Sequence, residues 1–172
     1  FGRVFEYLDL PVDIDEPAAP IAMDPRRARG DVRFREVSFR YPGSSTPTLE
    51  GIDLAVPAGS TLAVVGATGA GKTTLGYLTA RLHDPESGSV EIDGVDLRSL
   101  PLATVADLVG VVSQETYLFH DTIRENLRFA KPSATDEEIE NAARIAQIHE
   151  FVLALPDGYD TVVGERGYRF SG

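Results

Sequence analysis

Gly66-Ala67-Thr68-Gly69-Ala70-Gly71-Lys72-Thr73 fills every fixed position of the pattern G-x-x-x-x-G-K-[ST]. Glycines at this spacing let the backbone curl tightly, so that successive N–H groups converge where phosphate oxygens can accept from them. Lys72 would reach the β- and γ-phosphates of a nucleotide, and the Thr73 hydroxyl would ligate Mg2+. Thr74 follows in the first turn of the next segment, whose helical N-terminus adds its positive dipole end to the binding set. At average composition such a pattern arises in about one random chain of this length per hundred. The competing reading is a glycine-rich turn with a solvated lysine, and the strand and helix that flank the loop speak against it.

Those flanking elements are legible. Thr61-Leu62-Ala63-Val64-Val65 is a short apolar run of the kind buried on both faces in a parallel sheet, and 73–82 has good helical composition. Strand, glycine loop and helix in that order open a P-loop fold. Upstream, Val32 and Phe34 alternate with Arg33 and Arg35, and Val37, Phe39 and Tyr41 continue with a phase shift. Ile52, Leu54 and Val56 give a second alternating strand, so an antiparallel layer is expected. Val90 and Ile92 before Asp93-Gly94 read as strand and tight turn, and 109–112 as another buried strand. Thr135-Asp136-Glu137-Glu138 is a capping box with acids in the first turn, a helix start rather than a catalytic cluster. Ile139, Ala142, Ala143 and Ala146 would be that helix's buried stripe. The fold class is therefore α/β, a P-loop core with an antiparallel β subdomain and the start of a helical one.

Composition narrows the chemistry. The formal net charge is −11, with acids spread along the chain, so long-range repulsion argues against nucleic acid as a partner. With no cysteine, disulfides, thiolate metal sites and cysteine nucleophiles are excluded. His83, His120 and His149 lack paired ligand spacing and are expected to be solvated or packed. No apolar run is long enough to span a membrane, so direct insertion by this segment is not expected. Both ends read as cuts. Phe1, Val4, Phe5 and Leu8 lie on one face of a helix already under way, and a proline-rich linker follows from Pro11 to Pro25.

Beyond the loop, several segments resemble the nucleotide-binding domain of ABC transporters of the exporter type. Val37-Ser38-Phe39-Arg40-Tyr41-Pro42 is similar to the A-loop, which implies that Tyr41 stacks on adenine. Gly110-Val111-Val112-Ser113-Gln114-Glu115 is similar to the Q-loop, which implies that Gln114 contacts Mg2+ and the attacking water. Asp84-Pro85-Glu86-Ser87-Gly88 and the stretch 118–127 continue the likeness, and Val163-Gly164-Glu165-Arg166-Gly167 resembles the X-loop near the coupling helices. Arg169-Phe170-Ser171-Gly172 stands where the signature motif begins, with Phe170 in place of the usual leucine. In the family the signature serine and glycines, here Ser171 and Gly172, meet the γ-phosphate of ATP bound to the opposite domain.

The resemblance implies in-line attack of water on the γ-phosphorus of MgATP, in a sandwich of two such domains that drives export at the cytoplasmic face of a membrane. Residues 1–20 would then be the end of a transmembrane-domain helix with its linker, and 21–172 the N-terminal part of the ATP-binding domain. The Walker B strand, its following glutamate and the switch histidine are expected beyond Gly172. Residues 1–172 alone should therefore bind nucleotide at best. Two other readings stay open: a non-hydrolytic regulatory site of a heterodimeric transporter, and a soluble P-loop kinase or GTPase.

Overall fold

The computed structural model describes residues 14–113 and 117–164. The chain divides into two compact units, Phe1–Val112 and Ser113–Gly172.

In the first unit β1 (Val32–Phe39) lies between β2 (Leu49–Val56) and β3 (Ser87–Ile92), and β3 pairs in turn with β4 (Val95–Asp96). Every pairing is antiparallel, as the alternation predicts. The phase shift in β1 is a bulge: register breaks between Phe34 and Val37 on the β2 side, and Glu36 takes φ 48°. One extra residue turns the second half of the strand back toward the core, so Phe34, Val37 and Phe39 are all buried. The bulge presses on β3, where a Cβ at Gly88 would meet the Arg35 carbonyl oxygen at 2.2 Å. Asp93 and Gly94, with φ of 51° and 82°, form the tight turn into β4. The Asp93 carboxylate accepts from the N–H groups of Arg29 at 2.7 Å and Asp31 at 2.9 Å, which fixes the approach to β1.

The sheet's apolar face packs with Leu78 of α1 (Lys72–Thr79), Leu97, Leu100 and Val105 of α2 (Leu102–Leu108). Helix α1 stops short of the predicted Leu82 because Arg81 adopts φ 50°. The buried Arg81 guanidinium donates to the Leu100 and Asp15 carbonyls and pairs with Asp84 at 3.2 Å.

Two expected strands do not form. Neither 61–65 nor 109–112 has strand pairing, and Val65 and Val112 are 88% and 100% exposed. An apolar run becomes a buried parallel strand only where neighbours supply ladders on its edges. Among the described residues no strand pairs with either run.

The second unit packs α3 (Ile123–Arg128), α4 (Asp136–Ile145) and α5 (His149–Leu153) around Ile123, Ile139, Ala143, Val152, Tyr159 and Val163. The capping box of α4 is complete: Thr135 Oγ1 accepts from Glu138 N–H at 3.2 Å, and the Glu138 carboxylate accepts from Thr135 N–H at 2.9 Å. The buried stripe is narrower than expected. Ile139 and Ala143 are buried, whereas Ala142 and Ala146 are exposed, because only one edge of this short helix meets its neighbours. His149 is packed, its Nδ1 2.9 Å from the Tyr159 hydroxyl, while His120 is exposed. No helix among the described residues is long and apolar enough to cross a membrane.

Candidate nucleotide site

The glycine loop has the curl its composition predicts. Gly69 and Gly71 take φ of 84° and 81°, and Ala70 N–H closes a turn on the Ala67 carbonyl at 3.2 Å. Thr68 sits within this turn and Gly66 at its entry. Gly71 is constrained twice. Besides its left-handed backbone, a Cβ there would lie 2.7 Å from Leu49 Cδ2 and 3.0 Å from the Thr48 carbonyl oxygen. Close approach of the loop to β2 thus needs glycine as much as the turn does.

Helix α1 begins directly after Gly71 and has no side-chain cap. The first N–H groups of a helix have no partner inside it, so an uncapped start leaves donors and a positive dipole end to an anion. Lys72 reaches back across the loop, its Nζ donating to the Gly66 carbonyl at 2.9 Å and the Ala67 carbonyl at 2.7 Å. Among the described residues Lys72 makes no ion pair, whereas Lys131 is held by Glu138. An ammonium without a carboxylate, in a chain of net charge −11, concentrates positive charge at the loop.

Tyr41 is tied to this helix. Its hydroxyl lies 3.1 Å from Thr74 Oγ1, and the Thr74 side chain is buried while Thr73 stays exposed. The Tyr41 ring meets Phe39 edge-on at 4.9 Å and His83 edge-on at 5.3 Å. The structure therefore joins Gly66–Thr74 and Tyr41 into one constellation. Sequence spacing did not reveal the Tyr41–Thr74 link, and it set His83 aside as unremarkable. The signal available was only that both aromatic segments flank the loop in the chain.

Gln114, Ser171 and Gly172, together with Glu165 and Phe170, lie outside the described residues. Among the described residues no group of His, Asp and Glu is arranged to hold a metal ion by itself. A cavity of about 400 Å3 bounded by Arg29, Val32, Thr79, Asp107 and Val109 contains none of the loop residues.

The sequence profile of the ABC transporter family matches residues 49–172, which includes the entire loop and most of the chain. The chain belongs to the ABC transporter family. An ATP-dependent lipid A-core flippase of Chromobacterium violaceum is 42% identical over 98% of this chain. A putative multidrug export ATP-binding/permease protein of Bacillus subtilis is 44% identical over 99%. The mitochondrial potassium channel ATP-binding subunit of Mus musculus is 45% identical, also over 99%. This ABC chain spans only 28%, 29% and 24% of those relatives' lengths. Among solved structures, a bacterial Atm1-family ABC exporter with ATP bound matches 99% of the chain with TM-score 0.86 and 37% identity, and the chain covers 30% of that exporter.

Proposed function

We propose that residues 21–172 are the ATP-binding part of an exporter-type nucleotide-binding domain, and that the intact protein couples ATP hydrolysis to export of a substrate across a membrane. The observation that carries this reading is the Lys72 ammonium, without a carboxylate partner among the described residues, lying across the glycine loop beside an uncapped helix start. Family membership and the exporters among the relatives support it. Residues 1–20 would link this domain to a transmembrane helix, with the domain at the cytoplasmic face.

In this reading the loop N–H groups and the start of α1 donate to the nucleotide's phosphate oxygens. Lys72 would exchange its two loop carbonyls for β- and γ-phosphate oxygens, so the ammonium is preorganised a short swing from its working position. Tyr41 would orient the adenine. Thr73 has its side chain at the surface of the first helical turn and, with Gln114, would hold Mg2+, which when bound offsets phosphate charge. Gln114 would also place the water for in-line attack, with catalysis coming mainly from positioning and charge neutralisation. A second nucleotide-binding domain would complete the site, and coupling helices would receive the motion.

The test is Lys72→Ala in the longest native polypeptide that carries this chain. MgATP affinity and ATPase rate are expected to fall together, the rate by roughly a hundredfold or more, as for loss of one charge-stabilising donor. Unchanged MgATP binding in that variant would falsify the reading. Preference for GTP over ATP in the native protein would instead favour a soluble P-loop enzyme.

A further inference from the structure

Tyr41 is held at both ends, by its backbone in the segment after β1 and by the 3.1 Å contact from its hydroxyl to Thr74 Oγ1. The Cβ that joins ring to backbone and the hydroxyl oxygen both lie on the axis about which a phenol ring turns. A contact on that axis fixes where the ring is but not which way its face points, and stacking depends on the face. Only lateral contacts set that angle. Among the described residues two rings supply such contacts: Phe39, with centroids 4.9 Å apart and planes at 84°, and His83, at 5.3 Å and 88°.

His83 is itself well placed to serve as a stop. Its ring also lies 5.3 Å from Phe39 and 6.4 Å from Tyr77 on α1, so it is wedged between sheet and helix. The backbone around it is fixed by the turn at Arg81, where Leu82 N–H bonds the Tyr77 carbonyl at 2.9 Å. The buried Arg81 pairs with Asp84, so an ion pair straddles the histidine. His83 is only partly buried, which distinguishes it from a residue that merely fills the core.

We infer that His83 is a positioning residue for the nucleotide base: it holds the Tyr41 ring at the angle that stacking requires, and so contributes to recognition of the base but not of the phosphates. The inference rests on the proposed role of Tyr41 at the base.

The experiment measures calorimetric affinities for ATP and for inorganic tripolyphosphate, each with Mg2+, in the longest native polypeptide carrying this chain. Native protein is compared with His83→Ala, His83→Phe and Tyr41→Ala. Losing one edge-on ring contact is expected to weaken ATP binding about two- to tenfold in His83→Ala. Tripolyphosphate, which uses the same loop but has no base, should bind as before. His83→Phe restores a flat ring at the same place and should bring ATP affinity back to the native value. Equal loss of both ligands in His83→Ala would show a general structural role and overturn the inference, as would failure of His83→Phe to rescue. A loss in Tyr41→Ala with none in His83→Ala sinks the His83 role alone. If Tyr41→Ala leaves ATP affinity unchanged, the base-stacking reading of Tyr41 falls, and this inference with it.

Discussion

The three glycines at the fixed and turning positions of the loop differ in what they would tolerate, although the sequence pattern treats two of them alike. Gly66 has an ordinary backbone, and an added Cβ would make only ordinary contacts, with Ala70 Cβ at 3.4 Å and Lys72 Cδ at 3.9 Å. Gly69 needs positive φ but faces open space. Gly71 needs positive φ, and a Cβ there would meet Leu49 Cδ2 at 2.7 Å, closer than real Cβ atoms sit, and the Thr48 carbonyl oxygen at a tight 3.0 Å. Alanine in a left-handed backbone costs about 1–2 kcal/mol, and overpacking adds roughly 1–3. The expected order of stability loss is therefore Gly71→Ala, then Gly69→Ala, then Gly66→Ala, measured as denaturant midpoints. Equal losses at Gly71 and Gly69 would mean that the contact with β2 is not built into the fold. Asp93 gives a second residue-scale expectation. Burial alone would push its carboxyl up, but the N–H groups of Asp31, Arg29 and Gly30 and the charge of Arg29 outweigh that and hold it below its ordinary 3.8. A carboxyl depressed in the folded state stabilises fully above its unfolded value and loses that contribution as pH falls toward the folded one. Asp93→Asn should thus be less stable than native protein at pH 7, and the difference should shrink as pH drops below that ordinary value. A constant difference from pH 7 to 3 would contradict the assigned role.

At the scale of elements, local chemistry that completes itself within a few residues was readable and long-range closure was not. The capping box at Thr135 and Glu138 formed as written, because both partners sit in one turn. Replacing Thr135 by Ala should cost about 1 kcal/mol, seen as earlier melting of the second unit. The β1 bulge was visible as a break in alternation, and Asp93-Gly94 as a turn, since each is a backbone requirement stated by its own residues. Helix α1 ends earlier than its composition predicts because Arg81 leaves helical geometry, its side chain bonding Leu100 and Asp15, distant in the chain. The link from Tyr41 to Thr74 was hidden for the same reason. In the site, the loop was therefore fully legible, whereas the packing that orients its aromatic neighbour had to be seen.

At the scale of the whole molecule, the two runs read as buried strands carry the main consequence. Leu62, Val64, Val65, Val111 and Val112 are all exposed, between 44% and 100%, although their composition is that of a sheet interior. Apolar surface of this kind, gathered on two short runs of the sequence rather than scattered singly, is a surface that expects a cover. In the proposed reading the cover is the strand that would bear the Walker B aspartate and the glutamate after it. Two properties of a polypeptide limited to these residues should then go together. It should bind an apolar fluorescent dye strongly, and it should release phosphate from MgATP no faster than the solution background, since Lys72 and the loop can hold phosphates without activating water. A longer polypeptide containing the strand should show weak dye binding and measurable turnover. Each half of the pair tests a different step. Strong dye binding with ordinary turnover would mean that the catalytic base lies within residues 1–172 and that the assignment of water activation is wrong. Weak dye binding with no turnover would mean that the apolar runs cover themselves in solution, so that only the turnover half of the expectation stands.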